Sequence, residues 1–288
     1  MTTFTHVTVL GTGVLGSQIA YQSAYAGFQV TAWDINDDAI VAAKERFAGL
    51  AKTYDAEVEG AKDGKSAAAL DRITYATDLA EAVKDADLVI EAVPENPQIK
   101  TDTWTKVGQA APEKTIFTTN SSTLLPSSFM DATGRPEKFL ALHYANRIWV
   151  MNTAEVMATS KTDPDVYRQV VRFAEEQGMV PIEVKKEQPG YVLNSLLVPL
   201  LNAAGALYVN GVADPETIDK TWRIGTGAPN GPFQIFDVVG LTTAYNISSM
   251  SEDEPQRKFA EILKRDFIDH GKLGVATGEG FYTYPSES

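Results

Sequence analysis

Gly11, Gly13 and Gly16 follow the β-branched run His6-Val7-Thr8-Val9-Leu10, and from Val14 onward apolar residues recur at helical spacing. A strand, a G-x-G-x-x-G turn and a helix in that order can bind a dinucleotide. Gly11 permits the tight turn. Gly13 lets a pyrophosphate approach the helix N-terminus beside Val14 and Leu15, and Gly16 lets the helix pack on the sheet. Asp34 lies 18 residues beyond Gly16, at the end of the strand pattern Gln29-Val30-Thr31-Ala32-Trp33. A carboxylate there accepts hydrogen bonds from a ribose 2′-hydroxyl and repels a 2′-phosphate, so NAD is favoured over NADP.

His143 ends another strand pattern, and Glu155 falls 12 residues later within the next one. If the two strands are neighbours, the carboxylate meets the imidazole and fixes its tautomer. That suits a general base taking an alcohol proton while hydride leaves carbon. The same pattern also fits a core histidine beside a surface glutamate. Glu95, Lys100, Asn120, Ser121, Ser122 and Asn146 sit at strand ends, where open α/β sheets bind ligands, although each also suits a cap or a turn. Asn194 places an amide on an otherwise apolar helix after Pro189-Gly190-Tyr191. A buried amide needs partners, so Asn194 is either a ligand contact or an inter-helix hydrogen bond.

The elements that must position these residues alternate. Strand patterns at 6–10, 29–33, 73–75, 88–90, 116–119, 139–142, 153–157 and 180–184 are separated by helical ones, at 14–26, 37–51, 78–84, 101–110 and 163–177 among others. Alternating β and α elements predict an α/β fold of Rossmann type, a mostly parallel, doubly wound sheet. After residue 187 the strand signal disappears, and helical patterns occupy 191–209, 215–222, 232–239 and 256–270. The division expected is 1–186, the dinucleotide-binding domain, and 187–288, a smaller all-α domain for substrate and dimerisation.

The 288 residues are 44% apolar and carry 25 Lys and Arg against 38 Asp and Glu, a net charge of −13. A field of that sign argues against nucleic acid or a membrane surface as partner. Having no cysteine excludes disulfides, thiolate catalysis, iron–sulfur clusters and cysteine-bound zinc, and with only His6, His143 and His270 no metal site is expected. The start, Met1-Thr2-Thr3-Phe4-Thr5-His6, lacks the basic region of a targeting segment. Residues 188–213 are uncharged but interrupted by Pro189, Pro199, Gly205 and three asparagines, which reads as a helix buried between domains or subunits rather than a membrane span. The expected location is cytoplasmic.

Over nearly its whole length the chain resembles the 3-hydroxyacyl-CoA dehydrogenase family. The resemblance rests on the glycine turn with Asp34, on Glu91-Ala92-Val93-Pro94-Glu95-Asn96 with Lys100, on Asn120-Ser121-Ser122-Thr123-Leu124, on Leu142-His143-Tyr144-Ala145-Asn146 and on Glu155-Val156. It continues through Pro189-Gly190-Tyr191-Val192-Leu193-Asn194, Gly231-Pro232-Phe233, Asp237-Val238-Val239-Gly240-Leu241 and Thr277-Gly278-Glu279-Gly280-Phe281-Tyr282. It implies NAD held by Gly11, Gly13, Val14, Leu15, Gly16, Asp34, Val93, Glu95, Lys100, Asn120, Ser122 and Asn146. It further implies that His143 is the base, that Glu155 orients it, that Ser122 bonds the reacting oxygen and that Asn194 positions the substrate. The activity implied is NAD-dependent interconversion of L-3-hydroxyacyl-CoA and 3-oxoacyl-CoA in fatty acid metabolism, by a homodimer.

Departures from the family pattern bear on the substrate. Arg147-Ile148-Trp149 stands where the family continues Pro-Val-Pro, which should reshape the acyl pocket around Arg147 and Trp149. Two positions that supply coenzyme A with a serine and a lysine fall, by the register from Asp34, on Leu50 and Glu57, and the lysine usual before Thr277 is Ala276. A glutamate facing a polyanionic nucleotide is unfavourable. The alternative is therefore a related dehydrogenase of a small free hydroxy acid, carnitine- or gulonate-like, with Arg147 as a bidentate carboxylate clamp. A third reading is a non-catalytic NAD-binding relative.

Overall fold

The computed structural model describes residues 4–284. The chain divides into two compact units, the first ending at Val192 and the second beginning at Leu193. Residues 187–192, grouped by composition with the helical part, stay with the sheet unit.

In the first unit the chain runs β1 (His6–Leu10), α1 (Val14–Tyr25), β2 (Gln29–Trp33), α2 (Asp37–Glu57), α3 (Lys65–Leu70), β3 (Ile73–Ala76), α4 (Leu79–Val83) and β4 (Leu88–Glu91). It continues with α5 (Pro97–Ala110), β5 (Ile116–Thr119), β6 (Phe139–Tyr144), β7 (Thr153–Ala158), α6 (Pro164–Glu176) and β8 (Val180–Val184). The eight strands form one sheet in the order β3-β2-β1-β4-β5-β6-β7-β8. All neighbours are parallel except β6 and β7. The fold is therefore the mostly parallel Rossmann-like sheet expected. Both faces are covered: alternation along β4 sends Leu88 and Ile90 into one apolar cluster and Val89 into the other. The strand order reverses between β1 and β4, which opens a crevice at their carboxyl ends.

Helix boundaries follow local chemistry. Asn36 caps α2 and Asn96 caps α5, each accepting a first-turn N–H, and Pro97 fits the first turn of α5. α2 runs to Glu57 rather than stopping near Ala51. The reason is Tyr54, fully buried against Tyr21 and Tyr25 with ring centroids 4.7 and 4.9 Å apart, its hydroxyl donating to Gln22 Oε1. Asp87 ties β1 to β4, accepting from Thr5 N, Thr5 Oγ1 and His6 N. Burial pushes its carboxyl up, but Lys114 and these donors outweigh that and hold it at about 2.

The second unit is all-α, with α7 (Leu193–Val209), α8 (Pro215–Thr226), α9 (Pro232–Val239), α10 (Leu241–Ser249) and α11 (Glu254–Ile262). The last predicted helix leaves α geometry at Leu263, continuing as a π turn to Phe267 and a 3₁₀ turn to His270. Phe233, Phe236 and Phe259 form its core, with Phe281 packed on them. Asp237 accepts from Phe281 N, Tyr282 N and the Tyr284 hydroxyl, which is why the separated 237–241 and 277–282 blocks meet. In α7 only Leu201, Ala204 and Gly205 are buried, while Leu196 is 70% exposed. Among the described residues no helix is long and apolar enough to cross a membrane, and no group of three His, Asp or Glu could hold a metal ion.

Candidate active site

At the end of β1 the chain turns sharply. Gly11 adopts φ +92°, and a Cβ there would stand 2.6 Å from the Ala92 carbonyl oxygen beyond β4. A Cβ on Gly16 would lie 2.0 Å from the Gly11 oxygen, so α1 packs directly on the turn. Gly13 is different, because its missing Cβ would point into open space with nothing within 4 Å. Gly13 also lines a cavity of about 270 Å³. Gly13, Val14, Leu15 and Gly16 line one side, and Val93, Glu95, Lys100, Asn120 and Ser122 line the rest.

These residues fit a dinucleotide. The 12-residue helix α1 has no acidic residue in its first turn, so its N–H groups and dipole are open to a pyrophosphate. Asp34 stands outside the cavity, half-buried. Its Oδ2 accepts from Thr12 N at 2.8 Å and Thr12 Oγ1 at 2.6 Å, bracing the glycine turn against the end of β2. Asn146, predicted beside the cofactor, is exposed and does not line the cavity. Asn120 holds the β5 and β6 ends together by accepting from Tyr144 N at 2.9 Å.

Lys100 and Glu91 are both fully buried. Lys100 Nζ donates to Glu91 Oε1 at 2.6 Å and to the Val93 carbonyl at 3.3 Å, and it lies 3.3 Å from Glu95 Oε2. Glu91 also accepts from Thr119 Oγ1 at 2.7 Å, so the buried charges are paired and hydrogen-bonded as they must be. Glu95 gathers the following loop onto one oxygen. Its Oε1 accepts from Ser121 Oγ at 2.6 Å, from the N–H groups of Ser122, Thr123 and Leu124, and from Thr123 Oγ1. Burial pushes this carboxyl up, yet the donors from Ser121 and Thr123 together with Lys100 hold it at about 2.

β6 and β7 are neighbours, and their antiparallel register sets His143 directly opposite Glu155. His143 Nδ1 lies 2.9 Å from Glu155 Oε2, and Ser122 Oγ lies 3.1 Å from Nε2. A carboxylate only accepts, so Nδ1 is assigned as the donor, and in the neutral imidazole this leaves the Nε2 lone pair facing the Ser122 hydroxyl. The strand pairing on which that contact depended is therefore present. Two residues that sequence reasoning did not assign complete the surroundings. Tyr191 stacks on His143, and Val192 N donates to Glu155 Oε1 at 2.9 Å. An aromatic in a long apolar stretch reads as core, so no local signal marked it. Asn194 lies on α7, in the second unit.

Arg147 and Trp149 do not line the cavity. Both donate to Glu57 Oε2 at the end of α2, from Arg147 Nη2 at 3.0 Å and from Trp149 Nε1 at 2.7 Å. Trp149 also packs on Tyr54 with ring centroids 5.7 Å apart. Arg147 sits at φ +60°, a strained backbone for a side-chain-bearing residue, held by its own N–H on Gln18 Oε1. Leu50, the other position in question, is buried in the core.

Residues 6–188 match the pattern described as 3-hydroxyacyl-CoA dehydrogenase, NAD binding domain, and residues 190–284 match the C-terminal domain of the same family. The chain belongs to the 3-hydroxyacyl-CoA dehydrogenase family. Its members are oxidoreductases, and NAD is the cofactor of this domain. The chain is 36% identical to the human mitochondrial hydroxyacyl-coenzyme A dehydrogenase, covering 97% of this chain and 91% of that one. It is 33% identical to a probable 3-hydroxybutyryl-CoA dehydrogenase of Bacillus subtilis, covering 98% of each. Among solved structures it is similar to a diketoreductase described as acting on dicarbonyl compounds, at 69% identity and a TM-score of 0.95, over 99% of this chain and 100% of that one.

Proposed function

We propose that this family member interconverts a secondary alcohol and a ketone in a small, uncharged dicarbonyl compound, and that it does not require a coenzyme A thioester. The observation that carries this reading is the bonding of Glu57 to Arg147 and Trp149. Neither α2 position expected to contact coenzyme A offers a cation, one being the buried Leu50 and the other this carboxylate. The same bond pairs Arg147, so the carboxylate clamp expected for a free hydroxy acid is already occupied. The 69% identical diketoreductase points the same way.

In this reading the site residues divide the work. NAD, when bound, supplies a hydride acceptor at the nicotinamide. His143 Nε2 takes the hydroxyl proton in oxidation and returns it in reduction. Ser122 Oγ, already 3.1 Å from Nε2, bonds the reacting oxygen and aims it at that lone pair. Glu155 holds Nδ1–H and carries the countercharge once the imidazole gains its proton. Glu95 keeps Ser122 in place through the loop it gathers.

The test is NADH oxidation with acetoacetyl-CoA beside 2,4-pentanedione, an uncharged dicarbonyl compound, at equal concentration. The dicarbonyl should show a kcat/KM at least about tenfold higher, a difference of about 1.4 kcal/mol in transition-state binding. A tenfold preference for the thioester would instead favour the substrate named for the human and Bacillus relatives. The exposed apolar residues of α7 support a homodimer, so light scattering at micromolar concentration should return twice the mass of one chain. A single-chain mass would remove that part of the reading.

A further inference from the structure

Tyr191 has a backbone that a bulky residue rarely adopts. Its φ is +52°, directly after Gly190 at +77°, and the side chain is only 1% exposed. Such conformations persist where the surroundings over-determine them. Here the ring stacks on His143 with centroids 4.4 Å apart and an interplanar angle of 8°. Its hydroxyl donates to the Ser121 carbonyl at 2.8 Å, and its N–H donates to the Gln188 carbonyl. Burial pushes the phenol well up, so it remains a donor. The next residue, Val192, donates to the Glu155 oxygen that His143 does not use.

The Nδ1 bond to Glu155 fixes one atom of the imidazole and leaves the ring free to tilt about it. The Nε2 lone pair lies in the ring plane, so any tilt turns it away from the reacting hydroxyl. A second aromatic plane, nearly parallel and in contact, removes that freedom. The hydroxyl adds a link to the loop, because Ser121 is the residue immediately before Ser122.

We propose that Tyr191 is a positioning residue for this reaction, its ring setting the plane of His143 and its hydroxyl holding Ser122 in register with that plane. The proposal rests on the reading of His143 as the proton carrier. It acts through His143 and Ser122 rather than on substrate, so it should appear in kcat more than in KM or in cofactor affinity.

Three variants test it: Tyr191→Phe, Tyr191→Leu and His143→Gln. Each is assayed for kcat and KM with the better substrate of the two above, for NADH affinity by fluorescence, and for the imidazole Cε1–H resonances. The chain has three histidines, and His143→Gln identifies which resonance is lost. Tyr191→Leu should lower kcat by about 10²-fold, the scale of a misaligned reacting group, with NADH affinity within about twofold of the parent. The His143 resonance, shifted upfield by the stacked ring, should move downfield. Tyr191→Phe keeps the stack and loses one hydrogen bond, so the resonance should stay and kcat should fall only about three- to tenfold.

Retention of kcat within twofold in Tyr191→Leu overturns the proposal, as does a Tyr191→Phe protein whose His143 resonance has left its upfield position. If Tyr191→Leu does not fold, Tyr191→Phe decides alone, with unaltered kcat overturning the hydroxyl link. Turnover above about a tenth of the parent rate in His143→Gln sinks the parent reading of the site instead, and that outcome is independent of the Tyr191 results.

Discussion

Replacing His143 by Gln should reduce kcat by about 10²- to 10⁴-fold while NADH binds as before, the range expected for loss of a general base. Glutamine is close to the imidazole in length and is polar but uncharged, with its amide at the position of Nε2. It cannot take a proton from an alcohol at neutral pH. His143 and Glu155 are both almost fully buried, and Val192 N continues to donate to the carboxylate when the imidazole is replaced, so a side chain of similar volume such as glutamine avoids opening a cavity. Steady-state rates in both directions, set beside NADH fluorescence titration, check the result. Residual turnover above about a tenth of the parent rate would take His143 out of the proton transfer.

Gly13→Ala and Gly16→Ala should fail in different ways. A methyl on Gly13 meets no protein atom within 4 Å, so the thermal midpoint should not fall. The same methyl is added to a residue that lines the cavity at the N-terminus of α1, where a pyrophosphate must come close. NADH affinity should therefore drop by about tenfold or more, through lost contact with the helix N–H groups. A methyl on Gly16 would sit 2.0 Å from the Gly11 carbonyl oxygen, a contact that only a shift of the turn relieves. Overpacking of that kind costs about 1–3 kcal/mol, so Gly16→Ala should lose stability as well as affinity. Thermal melts and NADH titrations of both variants separate the cases. Parent-like NADH binding by Gly13→Ala would mean that the α1 N-terminus does not receive the cofactor.

What the sequence disclosed and what it hid have physical reasons. The glycine turn was legible because it depends on local backbone geometry, and the parallel sheet because alternating elements leave few topologies. His143 and Glu155 could be paired only conditionally. Eight residues separate β6 from β7, and nothing in them specifies the antiparallel return that sets the two side chains opposite each other. Glu57 lies 90 residues from Arg147, so their bond has no local trace, although both stood out as departures from the family pattern. α2 was read too short because Tyr54 follows Lys52 and Thr53, and its burial against Tyr21 and Tyr25 comes from tertiary packing. Tyr191 was hidden by its company, an aromatic in an uncharged stretch whose use depends on a positive φ.

Asp34 has a consequence for protein engineering. Exchange of nucleotide preference is commonly attempted by replacing the acidic residue after the second strand with a neutral or basic one. Here that carboxylate is also the brace of the glycine turn, since Thr12 gives it both its N–H and its hydroxyl. Removing it strands two donors at the residue between Gly11 and Gly13, so the site would lose its shape for every nucleotide at once. A redesign toward a phosphorylated ribose has to supply Thr12 with a new acceptor in the same step. Arg46, whose guanidinium already reaches the Thr12 carbonyl at 3.1 Å, is the adjacent cation around which to build it.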